Sequence, residues 1–559
     1  MGDSSMAGAD PGRLPLRIAV AAWALAGLAC VTLLWQVEMT VGAQGPAPAG
    51  ALHDRPFLSS HDCLACHNGL TSASGEDVSI GTAWRASMMA NSSRDPYWQA
   101  AVRREMVDHP AASDHIEDEC SICHMPMATT LARAAGGTGE IFAHLPVRSG
   151  TTEQDRLAAD GVSCTLCHQI GPNRLGTPES FTGGFDVTPS APGERVMFGP
   201  FEVDAGRTTL MRSATGVRPG EGAHLTQSEV CATCHTLFTK ALDSFGRVVG
   251  ELPEQVPYLE WRHSAFRTER SCQSCHMPIV ADQAPASSVL GQPRQIARHG
   301  FIGGNFLMLR MLNRYRAELG VEALPAELEA AARATIGQLQ STTASVGVTN
   351  VVRDEGTLRF DVTVENLTGH KFPTGYPSRR AWLHVTVRGE SIVFESGAVR
   401  PDGSIQGNDH DADATRFEPH YEEIREASEV QVYEAVMTDA GGKVTTGLLS
   451  GMAFVKDNRL LPRGFDKASA TPAIAVRGAA AGDADFRAGG DRVRYVVNLE
   501  GRQGPLTVDA ELRFQPISFR WAANLRRYEA AETRRFVSYY DSMAASSSVE
   551  IARASTRID

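Results

Sequence analysis

The arrangement of apolar and polar residues divides the chain into segments with different periods. Residues 18–37 (IAVAAWALAGLACVTLLWQV) contain no charge, and as a helix they would span about 30 Å, enough to cross a bilayer. Residues 305–341 carry apolar residues at helical spacing in FLMLRMLNRYRAEL and ALPAELEAAARATIGQLQ. From residue 343 onward the period falls to two, which is typical of strands.

The period-two region predicts an antiparallel β-sandwich. In TLRFDVTVENL, at 357–367, the alternation places Leu358, Phe360, Val362 and Val364 on one face. Five further short alternating segments follow: AWLHVTVRG, SIVFESG, EVQVYEAVMTD, RVRYVVNLE and LTVDAELRF. Gly- and Asp-rich breaks separate them over about 170 residues, as expected for a sandwich. FRWAANLRRYEAAETRRFVSYYDSM, at 519–543, then predicts a C-terminal helix that packs back on the protein, because its aromatic residues would otherwise be exposed.

The apolar N-terminal run predicts an uncleaved membrane anchor. Arg13 and Arg17 precede the run and Glu38 follows it, so the positive end is expected in the cytoplasm and the remainder on the exported side. A cleaved signal peptide is the alternative, since the small residues Val41–Ala43 resemble a cleavage site, and lipidation at Cys30 is a third possibility. The length of the run favours the anchor.

Cysteine spacing carries the strongest chemical signal. Ten of the eleven cysteines fall into five identical C-x-x-C-H frames. These are Cys63, Cys66 and His67; Cys120, Cys123 and His124; Cys164, Cys167 and His168; Cys231, Cys234 and His235; and Cys272, Cys275 and His276. A disulfide scaffold does not require the repeated histidine, and zinc sites usually combine two such hooks. Attachment of haem c explains every feature, because two thiols bond one porphyrin and the adjacent imidazole binds the iron. The sequence therefore predicts five covalent haems, with the five motif histidines as proximal ligands.

Five haems in about 250 residues leave too little chain for five separate apolar cores. We therefore expect an α+β fold with a haem-packed domain of helices and loops, an antiparallel β-sandwich and a C-terminal helix. The predicted segments are 1–17 (cytoplasmic), 18–37 (anchor), 38–52 (linker), 53–304 (pentahaem domain), 305–342 (helical connector), 343–518 (β-sandwich) and 519–559 (C-terminal helix and tail). The net charge of −12 excludes a generic nucleic-acid binder. It favours solubility and the steering of a basic redox partner.

The sixth ligand of each iron decides between an electron carrier and a catalyst. Eight histidines of the haem region lie outside the motifs, so two histidines on every iron are possible by number. The preferred candidates are His115, His144, His224, His263 and His299, which lie in segments leading into or away from motifs. Each could instead be a surface histidine or one that bonds a propionate.

Two further residues are candidate distal ligands. Met88 lies in WRASMM, which echoes WRHSAF at 261–266, and could bind an iron through its thioether, although a core methionine explains it as well. His370, in LTGHKFPTG, could reach across from the β-rich half to an iron, while the nearby Arg379 and Arg380 pair with propionates. The alternative for His370 is a turn histidine with a structural hydrogen bond.

The motifs and their surroundings resemble bacterial multihaem cytochromes of the cytochrome c-554 type. The segments that resemble them are HDCLACHNGL with a following W-x-x-S, GVSCTLCHQI, VCATCHTL and SCQSCHMP. The resemblance implies an electron carrier between periplasmic or membrane redox proteins. The β-rich half resembles a module attached to such cytochromes, in NLTGHKFPTGYPSRRAW and KDNRLLPRGF. The family prototype carries four haems, whereas this chain has five motifs.

Two functions follow from these observations. The first is a membrane-anchored relay on the periplasmic side of the inner membrane. The second is an oxidoreductase in which one open haem acts on a small nitrogen or sulfur compound. All five motifs end in histidine, whereas such enzymes often mark the active haem with a variant motif, so the sequence favours the relay.

Overall fold

The computed structural model describes residues 1–2, 55–147, 150–187 and 194–559. The predicted anchor at 18–37 and linker at 38–52, with all but two residues of the predicted cytoplasmic segment, lie outside the described residues. Residues 53–559 belong to one compact unit, so the predicted boundaries at 304, 342 and 518 fall inside it. No helix in the described ranges is both long and apolar enough to cross a membrane.

Short helices and turns make up the segment that carries the motifs. Its helices are α1 (Ser60–Leu64), α2 (Ile80–Arg85), α3 (Pro96–Asp108), α4 (Ser113–His124), α5 (Pro126–Ala134), α6 (Glu153–Ala159), α7 (Cys164–Cys167), α8 (Ala205–Thr215), α9 (Ser228–Ala232), α10 (Pro257–Arg262) and α11 (Cys272–His276). Asp95 caps α3 by accepting hydrogen bonds from two backbone amides of the first turn, and Pro96 occupies the first helical position.

Three two-stranded sheets join these helices. They pair β1 (Arg195–Gly199) with β2 (Val217–Glu221), β3 (Leu237–Leu242) with β4 (Val248–Gln255), and β5 (Ala284–Pro285) with β6 (Pro293–Arg294). The first pair is parallel and the other two are antiparallel.

Helices also occupy the segment at 305–342. They are α12 (Phe306–Arg314), α13 (Arg316–Leu319) and α14 (Pro325–Thr342). The apolar spacing of α12 buries Phe306, Met311 and Leu312 completely. Gly320 ends α13 in the left-handed conformation, at φ 66°, that glycine adopts without strain.

The C-terminal half contains two larger sheets. A four-stranded sheet has the order β11 (Glu423–Ile424), β15 (Gly490–Asn498), β8 (Thr357–Asn366), β7 (Ala344–Arg353). A seven-stranded sheet has the order β13 (Val444–Thr445), β12 (Val432–Thr438), β9 (Arg380–Arg388), β16 (Leu506–Gln515), β17 (Val549–Ile558), with β10 (Ile392–Ser396) on β9 and β14 (Ala453–Asp457) on β12. Short helices α15 (Asp409–Ala412), α16 (Phe519–Asn524) and α17 (Ala531–Asp541) complete the half.

The predicted alternation of β8 is confirmed. Leu358, Phe360, Val362 and Val364 are at most 1% exposed, and the Phe360 ring stacks on Tyr495 of β15 with centroids 5.2 Å apart. Apolar residues of both larger sheets belong to one hydrophobic core. The structure is therefore a mixture of helices and mainly antiparallel sheets, as the α+β prediction states.

The end of the chain differs from the prediction of a tail after the C-terminal helix. Residues 549–558 form β17, which pairs antiparallel with β16 along its length. Its sequence, VEIARASTRI, alternates only weakly in hydrophobicity, and Ile551 is the one strand residue there that is buried. Because β16 supplies the hydrogen bonds, this strand forms without a clear apolar period.

We expect Phe360→Ala to lower the free energy of unfolding by about 3–5 kcal/mol, because it removes a fully buried ring and leaves a cavity. Val352→Ala on neighbouring β7, where the side chain is 49% exposed, is the control and should change stability by no more than about 0.5 kcal/mol. Chemical denaturation followed by far-UV circular dichroism measures both. Equal losses in the two variants would contradict the assigned core.

Candidate functional site

All five motifs surround one cavity of about 2110 Å³. Its lining includes all ten motif cysteines and all five motif histidines. Pockets for single small molecules usually measure about 300–1,000 Å³, so this space exceeds what one such ligand needs. The chain has brought its repeated chemistry together around a shared interior.

A helical turn places the two thiols and the imidazole of each motif on the same side. Motif cysteines lie in or next to a turn of helix, as in α7 (Cys164–Cys167) and α11 (Cys272–His276). Positions i, i+3 and i+4 share one helix face, so two thiols and the following imidazole project to the same side. All ten cysteines are free thiols without disulfides.

A zinc site does not fit this geometry. In the described part of the chain, the one group of three or more metal-ligating side chains with atoms within 4.8 Å of one another is His420, Asp483 and Asp491, away from the motifs. No motif thus brings two thiols and an imidazole around a single ion, as tetrahedral zinc requires. Haem fits, because the thiols bond the porphyrin edge while the imidazole reaches its centre.

Backbone carbonyls orient four of the five motif histidines. In each, Nδ1 lies at hydrogen-bonding distance from a carbonyl oxygen: 2.7 Å for His67 and Ala286, 3.1 Å for His124 and Ser92, 2.6 Å for His168 and Phe198, and 2.5 Å for His276 and Ile302. A histidine that donates Nδ1–H to a carbonyl keeps Nε2 free for a metal. The ring of His124 also stacks on Trp98, with centroids 4.3 Å apart.

Two motif histidines face a second imidazole. The ring centroids of His168 and His299 are 6.4 Å apart and those of His276 and His370 are 6.3 Å apart, with 15° between the planes in both pairs. Metal–imidazole bonds of about 2 Å and a ring radius of about 1.1 Å place two imidazoles on opposite sides of one metal with centroids about 6.2 Å apart. Both pairs match this spacing.

The second histidine of each pair has the same surroundings as the motif histidines. Nδ1 of His299 lies 2.9 Å from the Ala297 carbonyl oxygen, and Nδ1 of His370 lies 2.8 Å from that of Lys371. Burial lowers the pKa of both imidazoles to about 4. They are therefore neutral at pH 7, which is the form that binds a metal.

Four other histidines singled out in the sequence lie outside the cavity lining. Nε2 of His224 is 2.9 Å from the Ile170 carbonyl oxygen, and Nε2 of His263 is 3.0 Å from that of Asp466. These contacts occupy Nε2, so Nδ1 is the nitrogen of each ring left for a metal.

His115 and His144 complete this set, although His115 lies on α4 with the second motif. The side chain of His115 is 54% exposed and lies 3.3 Å from Glu119. His144 is buried, and its Nδ1 lies 2.7 Å from Asp155. Met88 does line the cavity, in the loop after α2, but the described contacts pair its sulfur with no particular motif histidine.

Helices α8 and α14 contribute apolar side chains to other parts of the lining. None of the side chains of α8 is buried, although Leu210 and Met211 face the cavity. Helix α14 presents small residues to it, including Ala326, Ala330 and Ala334, which allow a flat group to approach closely. The donor set and the shape of this lining both suit porphyrins.

The two arginines after His370 differ in their positions. Arg379 lines the cavity and donates to the Thr374 carbonyl oxygen at 2.7 Å, and burial lowers its pKa to about 10. No carboxylate among the described residues pairs with it, so it suits a propionate. Arg380 instead bonds Asp411 at 2.8 Å inside the β-rich half, and the prediction that it pairs with a propionate is wrong.

A buried ionic cluster holds the loop that carries His370. Lys371 Nζ lies 2.6 Å from Asp457, and Arg459 lies 2.8 Å from the same carboxylate. The Glu260 carboxylate of α10 accepts the Lys371 amide at 3.2 Å and the Thr374 hydroxyl at 2.5 Å. Arg459 also forms an ion pair with the Glu260 carboxylate, at 2.9 Å. The cluster thus ties the β-rich half to the helix that precedes the fifth motif.

No local pattern in the sequence marks this cluster, because its charges are scattered between residues 260 and 459. A signal for His299 and His370 does exist in the sequence. Both are flanked by glycines that line the cavity: Gly300, Gly303, Gly304, Gly369 and Gly375. Glycine lets a ligand come close to the backbone. The signal is not specific, however, because Gly220 and Gly222 precede His224 in the same way.

The chain is similar to a solved structure described as a penta-heme cytochrome c552 from Thermochromatium tepidum. The two chains are 16% identical, with a TM-score of 0.52, and the match covers 91% of this chain and 100% of that chain. The likeness shows the fold, and it extends beyond residues 53–304 into the β-rich half. No family model and no curated protein matches the chain.

We expect Asp457→Asn to cost about 3–5 kcal/mol of unfolding free energy, because it leaves Lys371 buried without its counter-charge and removes one of the two carboxylates that pair with Arg459. Asp354→Asn, which breaks an exposed pair with Arg359, is the matched control and should have no measurable effect. Denaturant titration of both variants measures the difference. A stable Asp457→Asn variant would show that the cluster does not hold the loop.

Proposed function

We propose that the protein is a c-type cytochrome that binds five haems covalently and transfers electrons between redox partners. The observation that carries the proposal is the pair of facing imidazoles, His168 with His299 and His276 with His370, in a cavity lined by every motif cysteine. Irons held on both sides by histidine are saturated, which favours electron transfer over catalysis.

The residues of the chain have distinct roles in this proposal. The ten motif cysteines attach the porphyrins, and the five motif histidines are the proximal ligands. His299 and His370 are the distal ligands at the third and fifth motifs, and Arg379 pairs with a propionate. Haem c, when bound, supplies an iron that accepts and releases one electron. The protein sets the ligands, the charge and the access of water around each iron.

Contacts between motifs suggest the order of electron transfer. Thiols of different motifs lie side by side and raise the pKa of their neighbours. Cys164 raises the pKa of Cys63, Cys234 that of Cys123, and Cys272 that of Cys231, and burial raises all three further. Burial and then Cys234 raise the pKa of Cys167 to about 12. The first motif therefore adjoins the third, and the fourth adjoins the second, the third and the fifth. We infer a chain from motif 1 through 3 and 4 to 5, with motif 2 as a branch at motif 4.

Location and partners follow from the sequence. Covalent attachment of haem takes place on the exported side in bacteria, and residues 18–37 can anchor the chain there, so we propose the periplasmic side of the inner membrane. The alternative is release into the periplasm after signal cleavage. The net charge of −12 favours transient docking of basic redox proteins.

A second candidate function is an oxidoreductase that acts on a small nitrogen or sulfur compound at an open iron. Among the described residues that line the cavity, His67, His124 and His235 have no imidazole opposite them at the spacing of the other two pairs. These three sites are therefore the candidates for an open iron. The spin state of the irons distinguishes the two functions.

We expect intact-mass analysis and a pyridine haemochrome assay to give five haems per chain. The double substitution Cys272→Ser with Cys275→Ser should reduce the number to four, because thioether attachment needs the thiols. Cys30→Ser, the one cysteine outside the motifs, is the control and should retain five. Five haems in the double variant would contradict attachment at that motif.

We expect His370→Ala and His299→Ala each to convert one low-spin haem per chain to high spin in the electron paramagnetic resonance spectrum of the oxidised protein, because each removes a sixth ligand. His263→Ala and His224→Ala are matched controls, since their Nε2 atoms contact carbonyl oxygens, and should leave the spectrum unchanged. A high-spin haem already present in the unsubstituted protein would favour the oxidoreductase. Five low-spin haems would favour the electron carrier.

A further inference from the structure

A buried carboxyl group without a cationic partner lies beside the second motif. Glu254, on β4, lines the cavity and is 6% exposed. It accepts a hydrogen bond from the Thr239 hydroxyl at 2.5 Å and lies 3.4 Å from the Gln255 side-chain amide. No lysine, arginine or histidine among the described residues bonds it, which is costly for a buried negative charge.

Burial and the neighbouring Glu105 carboxylate raise the pKa of Glu254 to about 7. Glu105, on α3, is 4% exposed and also lines the cavity, but its surroundings are different. It accepts the backbone amides of Leu448 at 2.8 Å and Leu449 at 3.3 Å, and the adjacent Arg104 opposes the effect of burial on its pKa. Glu254 therefore lacks the backbone donors and the neighbouring cation that favour the charged form of Glu105.

The position of Glu254 relative to the motif is shown by its effect on the motif thiols. Burial and, next, Glu254 raise the pKa of Cys120. Cys234 and burial raise that of Cys123, with Glu254 among the smaller contributions. Burial also raises the pKa of Tyr376, to which Tyr97 and Glu254 add. The carboxyl group thus lies near both the second motif and the loop that follows His370.

We propose, on the basis of the function proposed above, that Glu254 is a proton-accepting site coupled to reduction of the haem held by Cys120 and Cys123. One electron from a one-electron donor reduces ferric to ferrous iron, and the Glu254 carboxylate binds one proton from solvent. Oxidation releases the electron and the proton again. Reduction removes one positive charge from a low-dielectric cavity, so a carboxylate there loses its electrostatic compensation and becomes more basic.

The sign of the pH dependence follows from this coupling. At low pH the carboxyl group is protonated in both redox states, and the haem potential does not depend on pH. Above the pKa that Glu254 has in the oxidised form, reduction must bind one proton, and the potential falls as pH rises. The equilibrium constant for reduction then falls tenfold per pH unit, which is about 59 mV for one electron. The slope ends once Glu254 is also deprotonated in the reduced form.

The test compares Glu254→Gln with Glu251→Gln in the full haem-loaded protein. Glu251 lies on the same strand, but it is 45% exposed and pairs with Lys240. Both variants and the unsubstituted protein are titrated spectroelectrochemically at a series of pH values, with redox-difference infrared spectra recorded in H₂O and D₂O. We expect one of the five one-electron steps to depend on pH in the unsubstituted protein and in Glu251→Gln. That dependence, together with a carboxylic acid band that appears on reduction, should be absent in Glu254→Gln.

Three outcomes overturn the inference. The first is pH-dependent reduction that survives in Glu254→Gln, and the second is a dependence lost in Glu105→Gln instead. The third is reversible reduction of all five haems without any pH dependence, which leaves the proposed electron carrier intact. Failure of the unsubstituted protein to take up electrons reversibly contradicts the proposed function itself, so the two results are distinguishable. Intact five-haem loading of each variant, checked by mass, excludes a folding defect as the cause.

Discussion

Backbone carbonyls that hold the Nδ1 atoms of the cavity histidines determine the geometry on which the site depends. An imidazole rotates freely unless one nitrogen is held, and a misoriented ring cannot present Nε2 to an iron. In this chain those carbonyl oxygens come from other segments. The Ala286 oxygen lies at hydrogen-bonding distance from Nδ1 of His67, and the Ile302 oxygen from Nδ1 of His276. The loops that follow the motifs differ in length but have one structural role in common. They supply the carbonyl groups that fix rings belonging to other parts of the chain.

The same constraint joins the two halves of the protein. His370 lies in the loop that enters β9, so the sheet and the fifth motif share one structural element. The buried charges of Glu260, Lys371, Asp457 and Arg459 hold this loop from both sides. Burying several charges is costly, and the cost is offset only while every partner is present. The β-rich half is therefore part of the proposed redox centre rather than an addition to it.

Sequence patterns predicted those features that are local and missed those that depend on distant contacts. The five motifs, the alternation of β8 and the helical spacing of α12 each lie within a short window, and each was identified. Histidine spacing alone did not separate His299 from His263, because the direction of Nε2 depends on which carbonyl the fold brings near. Strand β17 was missed for a related reason, since β16 supplies its hydrogen bonds and its own sequence has little apolar period.

The position of His370 has a consequence for the order of assembly. The fifth motif ends about 90 residues before His370, so the motif emerges first when the chain is made and when it is exported. Strand β9, which follows His370, pairs with β16 near the end of the chain, and β16 pairs with β17 at the very end. If His370 is the second ligand of the fifth motif, as proposed, that site is completed after almost the whole polypeptide has arrived. A chain truncated near its C-terminus would then contain every motif and still lack the fold that holds His370 in place.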